Sequence, residues 1–203
     1  MIKCNVTVCG TVSREAAVRT DKEGKPFVSF ALSVTIPARS GINKTVEISV
    51  AQDGNGTDLS AYHTGKRLEV AGTLIPKKRD GRMFFNLSAS GVNFATTEEK
   101  DFIKGQMTFR GKIGKSVEER KDKNGKDYIQ FSAFSAEKAG DGFTYIWVRF
   151  FGFGKEREAW LQPGARAEIK GELELSVYND NLNLSCRMDE MSEYVKPPYP
   201  ATN

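Results

Sequence analysis

The feature that most constrains this chain is that it is written twice. VTVCGTVS at 6–13 lines up with MTFRGKIG at 107–114 at an offset of 101, and the same offset carries Asp21, Lys22, Gly24, Lys25 and Phe30 onto Asp122, Lys123, Gly125, Lys126 and Phe131. The offset drifts to 100 where Val46, Ile48 and Val50 meet Ile146, Val148 and Phe150, and to 99 where Gly65 and Gly72 meet Gly164 and Gly171. Changes in loop length leave this kind of drift in a duplicated unit. Two copies at 1–96 and 105–194, a joining segment at 97–104 and a Pro-rich flexible tail at 195–203 account for all 203 residues. Each copy has the size of an ordinary small domain.

The signals inside a copy are those of strands and tight turns. In the second, Met107, Phe109 and Ile113 alternate with Thr108, Arg110 and Lys112, the two-residue period of a strand with one face inward. DKNGK at 122–126 is a hairpin turn. A second strand follows, with Ile129, Phe131 and Ala133 inward and Tyr128, Gln130, Ser132 and Phe134 outward. A Gly- and Asp-rich loop at 140–142 leads into a third strand. After Gly152 and Gly154 the period lengthens into a short helical run at 155–161, ended by Gln-Pro-Gly at 162–164. A fourth strand places Ala167, Ile169, Leu173 and Leu175 against Glu168, Lys170, Glu172 and Glu174, and a turn at 178–181 leads to a fifth at 182–191. The first copy repeats the order, with strands near 2–13, 26–36, 44–51, 66–75 and 83–94 and a short helix near 57–63. The expected fold is all-β: two tandem five-stranded OB-fold Greek-key barrels, each with one short helix.

The third strand of the second copy has two faces that are costly to leave in water. Ile146, Val148 and Phe150 suit a barrel interior, which sends Tyr145, Trp147, Arg149 and Phe151 outward. Outward rings and an arginine fit flat, anionic partners, as bases on a phosphate backbone are. Phe134, Tyr128 and Tyr178 add further rings, and Arg110 and Lys112 add outward charge on the first strand. The first copy keeps its inward residues but carries Thr45, Glu47 and Ser49 where the second has Tyr145, Trp147 and Arg149. It offers instead a basic hairpin, Lys77, Lys78, Arg79 and Arg82, plus Arg14, Arg19, Lys22 and Lys25. Residues 1–97 hold 13 Lys and Arg against 8 Asp and Glu, whereas 105–194 hold 14 against 15. Positive charge and outward rings therefore belong to different copies, and a binding surface must reunite them. The competing reading of the rings is a protein–protein contact, since aromatics and arginine also mark interface hot spots.

Other classes find little support. A single histidine, His63, excludes most histidine triads and multi-histidine metal sites and reads as a surface or helix-end residue. Cys4, Cys9 and Cys186 are an odd number without a CxxC and read as small buried strand residues. GFGKE at 152–156 is neither a dinucleotide fingerprint nor a phosphate loop. No enzyme activity, cofactor or metal is expected. No apolar run approaches a membrane span and the N-terminal stretch has no signal-peptide core, so the expected location is cytoplasmic.

From Tyr145 onward the sequence resembles the bacterial-type single-stranded DNA-binding protein family: an outward aromatic, VRFFG, a short helix, a PG turn and a strand reading AEIKGEL. Weaker agreement covers 105–191, through MTFRGKIG, the NGK turn, IQFSAFSAE and DEM, while the first copy agrees only in its glycines and core. The resemblance implies an OB barrel, binding of single-stranded DNA without sequence preference, and stacking at Tyr145, Phe151 and, more loosely, Tyr178. That family commonly carries a basic residue where Trp147 stands, so stacking by Trp147 rests on its outward position. The resemblance also implies a role in replication, recombination or repair, and a tandem chain that forms a homodimer to bring four OB folds together. The tail at 195–203 has no acidic residue, which argues against the family's tail-mediated recruitment of partner proteins. An OB-fold assembly factor of the primosome type, or a single-stranded RNA binder, are the alternative readings.

Overall fold

One unusually long strand serves two neighbours in succession in each half of the structure, a computed structural model that describes residues 1–38, 41–55, 58–139 and 142–195. β1 (Ile2–Thr20) pairs antiparallel with β4 (Arg67–Arg79) over 4–11 and then, past a bend, with β2 (Pro26–Ile36) over 11–20. β2 runs antiparallel to β3 (Lys44–Asp53), β3 parallel to β5 (Arg82–Asn93), and β5 antiparallel to β4. Five strands thus close a circuit in the order β1-β2-β3-β5-β4. The second half repeats it with β6 (Phe102–Lys121), β7 (Asp127–Ala139), β8 (Gly142–Phe153), β9 (Arg166–Tyr178) and β10 (Asn181–Glu193), in the order β6-β7-β8-β10-β9. The bend in each long strand brings backbones too close for a side chain. A Cβ on Gly10 would stand 2.6 Å from the Ser33 carbonyl oxygen, and one on Gly111 2.2 Å from that of Phe134.

The inward positions follow the two-residue period. Ile146, Val148 and Phe150 on β8 and Ile129, Phe131 and Ala133 on β7 are buried, as are Val28, Phe30, Leu32 and Val34 on β2. Phe150 meets Phe109 edge-on at 4.9 Å and Phe131 at 5.4 Å, while Phe30 packs on Tyr62 at 4.8 Å. Burying such rings removes 150–250 Å² or so of each from water, the main source of stability for circuits this small. All three cysteines are buried free thiols, in line with their reading as small strand residues.

The two halves share one ten-stranded sheet because the free edge of β1 pairs antiparallel with β6, from Ile2 opposite Phe109 to Cys9 opposite Phe102. Within the ladder Asn5 stands opposite Gln106, and those residues are equivalent at the repeat offset of 101. Cys4 opposite Met107 and Val6 opposite Gly105 mirror each other about that point, the pattern of a two-fold contact between like surfaces. β6 accordingly begins at Phe102, inside the segment expected to join the copies. An ion pair holds the approach to it. Arg67 donates to Asp101 Oδ1 at 2.7 Å and to the Glu98 carbonyl at 3.0 Å, while Asp101 Oδ2 accepts from the Thr35 amide at 2.7 Å.

The expected helices need correction. In the first copy a single 3₁₀ turn, Leu59–Tyr62, stands where a helix near 57–63 was expected, capped by Asp58, which accepts from the Ser60 amide at 3.0 Å. In the second, 155–161 forms no helix; its turns close through Leu161 N–H to the Glu158 carbonyl at 3.0 Å and Gln162 N–H to the Trp160 carbonyl at 2.8 Å. A run this short gains too few hydrogen bonds to offset the cost of starting a helix. Side chains supply local alternatives: the Trp160 indole N–H donates to Glu158 at 2.7 Å and Arg157 to the Leu161 carbonyl at 3.3 Å. Gly140 and Asp141 of the expected loop, and the tail beyond Val195, lie outside the described residues.

Candidate nucleic-acid interface

The pairing of β7 with β8 sets the outward side chains in rungs: Tyr128 with Phe153, Gln130 with Phe151, Ser132 with Arg149, Phe134 with Trp147, Ala136 with Tyr145 and Lys138 with Phe143. The rings fall into two groups separated by the Ser132–Arg149 rung. On one side Phe134 lies 4.9 Å from Trp147 and 5.4 Å from Tyr145; on the other Phe153 stacks on Tyr128 at 5.1 Å and lies 6.4 Å from Phe151. Tyr145 and Trp147 remain about half exposed, at 48% and 49%. Packing against Phe134 stiffens them while their outer faces stay open, which lowers the entropy lost when a flat ligand settles on them.

The Trp147 indole comes close to the β6 backbone at Gly114. A Cβ on Gly114 would stand 3.1 Å from the indole ring and 2.8 Å from the Ser132 carbonyl oxygen. At the equivalent place in the first copy, Ser13 donates to Glu47 at 3.2 Å. That copy thus presents a hydroxyl and a carboxylate instead of a ring on glycine.

The outward face of β8 is one wall of a cleft of about 1940 Å³ between the two halves. Facing it are Lys78, Arg82 and Phe84 of the β4–β5 hairpin, Thr45, Glu47 and Ser49 of β3, and Tyr178 at the tip of the β9–β10 hairpin. Each hairpin reaches across to the other copy: the Lys77 ammonium lies 3.7 Å from Glu137 on β7, and Lys44 donates to the Asp180 carbonyl at 2.6 Å and to its carboxylate at 3.0 Å. Both tips are two-residue turns, Asp80–Gly81 and Asn179–Asp180, with positive φ at every central residue, the geometry that matches strand twist. The basic hairpin of one copy and the aromatic row of the other therefore share one concavity.

Cations prevail in that cleft. Arg67 holds Asp101 and Lys44 holds Asp180. Lys78, Arg82, Lys104 and Arg149 have no carboxylate partner among the described residues, against Glu47 and Glu174. Arg79 is exposed beside Arg82 at the turn. Lys112 adjoins the row, since it sits opposite Phe134. Arg110 does not: it is bound to Glu168 at 2.5 Å and covered by the Tyr194 ring at 5.0 Å.

Sequence reasoning passed over three residues here. Phe143 and Phe153 extend the odd-numbered row of β8 by one rung at each end, and carrying the two-residue period to the strand's limits would have found them. Arg187 sits opposite Phe151 on β10 with its guanidinium 5.7 Å over Phe153, a placement that depends on the parallel β8–β10 contact and has no local signal. His63 is exposed just past the 3₁₀ turn, and its ring Nδ1 contacts the Thr64 carbonyl at 3.1 Å.

No protein-family model matches the chain, and no curated protein does. Among solved structures it is similar to the wild-type single-stranded DNA binding protein from Thermus aquaticus, at 14% identity and a TM-score of 0.47, over 100% of this chain and 97% of that one. It is also similar to the mitochondrial single-stranded DNA binding protein Rim1 from S. cerevisiae, at 18% identity and a TM-score of 0.37, over 46% of this chain and 96% of that one. A third is PriB from Ralstonia solanacearum, at 15% identity and a TM-score of 0.33, over 44% and 97%.

Proposed function

We propose that this chain is a tandem pair of OB folds, divided at 97–104, that binds single-stranded DNA without sequence preference and shields it during replication, recombination or repair. The observation that carries the reading is the shared cleft, where Tyr145, Trp147, Arg149 and Phe151 face Lys78 and Arg82 from the other copy. Bases stack on the rings at roughly 1–3 kcal/mol each, whichever base is present. The backbone is drawn in by the cations, so affinity falls as salt rises. A duplex hides its base faces inside its own stack and leaves the rings without a partner.

Titration with oligo(dT) and with a duplex of equal length, over a range of salt, tests this. Trp147 fluorescence is quenched by the single strand, affinity drops with salt, and the duplex binds far more weakly. Trp160 lies outside the cleft and contributes a constant background. Duplex affinity equal to that of the single strand sinks the reading; tight binding without quenching moves the rings to a protein partner. In the same reading two chains associate to bring four OB folds together, and the mass in solution by sedimentation checks that step.

A further inference from the structure

β6 carries a bulge where it passes β7. Ile113 pairs with Ala133 and Val117 with Phe131, so Gly114, Lys115 and Ser116 stand opposite Ser132 alone. Gly114 forms the bed for Trp147. The next two residues border a notch of about 150 Å³, lined also by Glu118, Gln130, Phe131, Ser132 and Arg149. That volume exceeds the roughly 30 Å³ liquid share of one water several-fold, room for a small solvated anion.

The chemistry of the rim is that of an anion site. Lys115 and Arg149 are exposed and have no carboxylate partner among the described residues. The one carboxylate, Glu118, is engaged by Arg120 at 2.5 Å. Ser116 and Ser132 offer hydroxyl donors. The notch lies at the Ser132–Arg149 rung, in the gap between the two groups of rings. Its first-copy counterpart at β3 is Ser49 in place of Arg149, and Arg14 in place of Lys115.

We propose that this notch seats one backbone phosphate of a bound single strand, between Lys115 and Arg149, so that the nucleotides on either side stack on the Trp147 group and the Phe151–Phe153 group. The inference rests on the single-strand reading above. The seat gives a strand that stacks without sequence preference a fixed register along β8. A guanidinium and an ammonium on one phosphate divide the work as their shapes dictate: the planar fork of Arg149 binds two oxygens, and Lys115 adds a point charge.

The test compares the full chain with Lys115→Gln, Arg149→Gln and the double variant, titrated with oligo(dT) at several salt concentrations. Each phosphate contact to a single strand adds about 0.7 to the magnitude of the slope of log K against log salt. Both cations serve one phosphate, so either single change, which leaves the other cation on it, lowers the slope by less than about 0.7, and the double change lowers it by about 0.7 in all. A double variant that loses about 1.4 overturns the shared seat in favour of two separate phosphates, and an unchanged slope in all three overturns it outright. Failure of the unaltered chain to bind oligo(dT) brings down the single-strand reading itself, and the seat with it. Matched circular dichroism and melting temperatures show that the variants, changed at exposed positions, remain folded.

Discussion

Ser13 reaches Glu47 with a 3.2 Å hydrogen bond at the place where the second copy sets Trp147 on Gly114. Two substitutions at equivalent positions are therefore coupled: the ring packs against a glycine, and the carboxylate accepts from a hydroxyl. Gly114→Ser shifts β6 against β7 and presses on the indole, because a Cβ there would stand 2.8 Å from the Ser132 carbonyl oxygen and 3.1 Å from the ring. Oligo(dT) affinity falls about five-fold or more, the equivalent of losing one weak base stack. Unchanged affinity together with unchanged tryptophan quenching disproves the coupling.

Stacking and charge make unequal contributions. Trp147→Ala with Phe151→Ala removes rings from both groups and costs roughly 2–6 kcal/mol of single-strand affinity, at about 1–3 kcal/mol per base. Lys78→Ala with Arg79→Ala, on the exposed hairpin, lowers the salt slope and costs far less at moderate salt. Equal losses from the two pairs, measured by fluorescence anisotropy, end the division of labour between copies.

Asp101 ties three partners together: Arg67 on β4, the Thr35 amide on β2 and, through Arg67, the Glu98 carbonyl. Asp101→Ala takes from Arg67 its charged acceptor and leaves the Thr35 N–H without its carboxylate, at a cost of about 1–3 kcal/mol. Urea unfolding registers the change as a lower midpoint at constant m-value. Wild-type stability in the variant excludes a structural role for this ion pair.

Burial pushes the Cys4 and Cys186 thiols up from 9.0 to about 12. The unfolded chain ionises first, so the folded state keeps two protons that the unfolded state has lost. Their contribution is complete below pH 9 and is lost as pH rises from 9 toward 12, at up to about 1.4 kcal/mol per pH unit for each thiol. Urea titrations from pH 8 to 11 give a steeper decline for the native chain than for Cys4→Ala with Cys186→Ala. Parallel declines refute the assignment.

The alternation of Ile146, Val148 and Phe150 with Tyr145, Trp147 and Arg149 was legible because a strand's two-residue period is local, and the structure keeps it. The repeat offset likewise made the strand order of one half a check on the other. What the sequence hid depends on contacts between distant strands. Arg110 reads as a free outward cation until β9 places Glu168 opposite it. Arg187 joins the aromatic row only because β10 runs parallel to β8. The helix expected at 155–161 failed for a different reason: a short polar run with one Trp matches helical spacing, but its side chains bond locally and turns suffice. The meeting of the basic hairpin with the aromatic strand follows from the β1–β6 ladder, which no local pattern announces.

That ladder fixes the stoichiometry of unlike parts. In an assembly of identical chains every substitution appears on both sides of the two-fold point, so a ring gained at one site is gained at all of them. Here the equivalent positions are encoded separately, and dilution cannot part them because both belong to one chain. Trp147 and Glu47 could thus diverge without changing the Asn5–Gln106 contact that holds their copies together. A self-paired, duplicated chain is a pair of surfaces free to specialise, one retaining the rings and the other lending its hairpin.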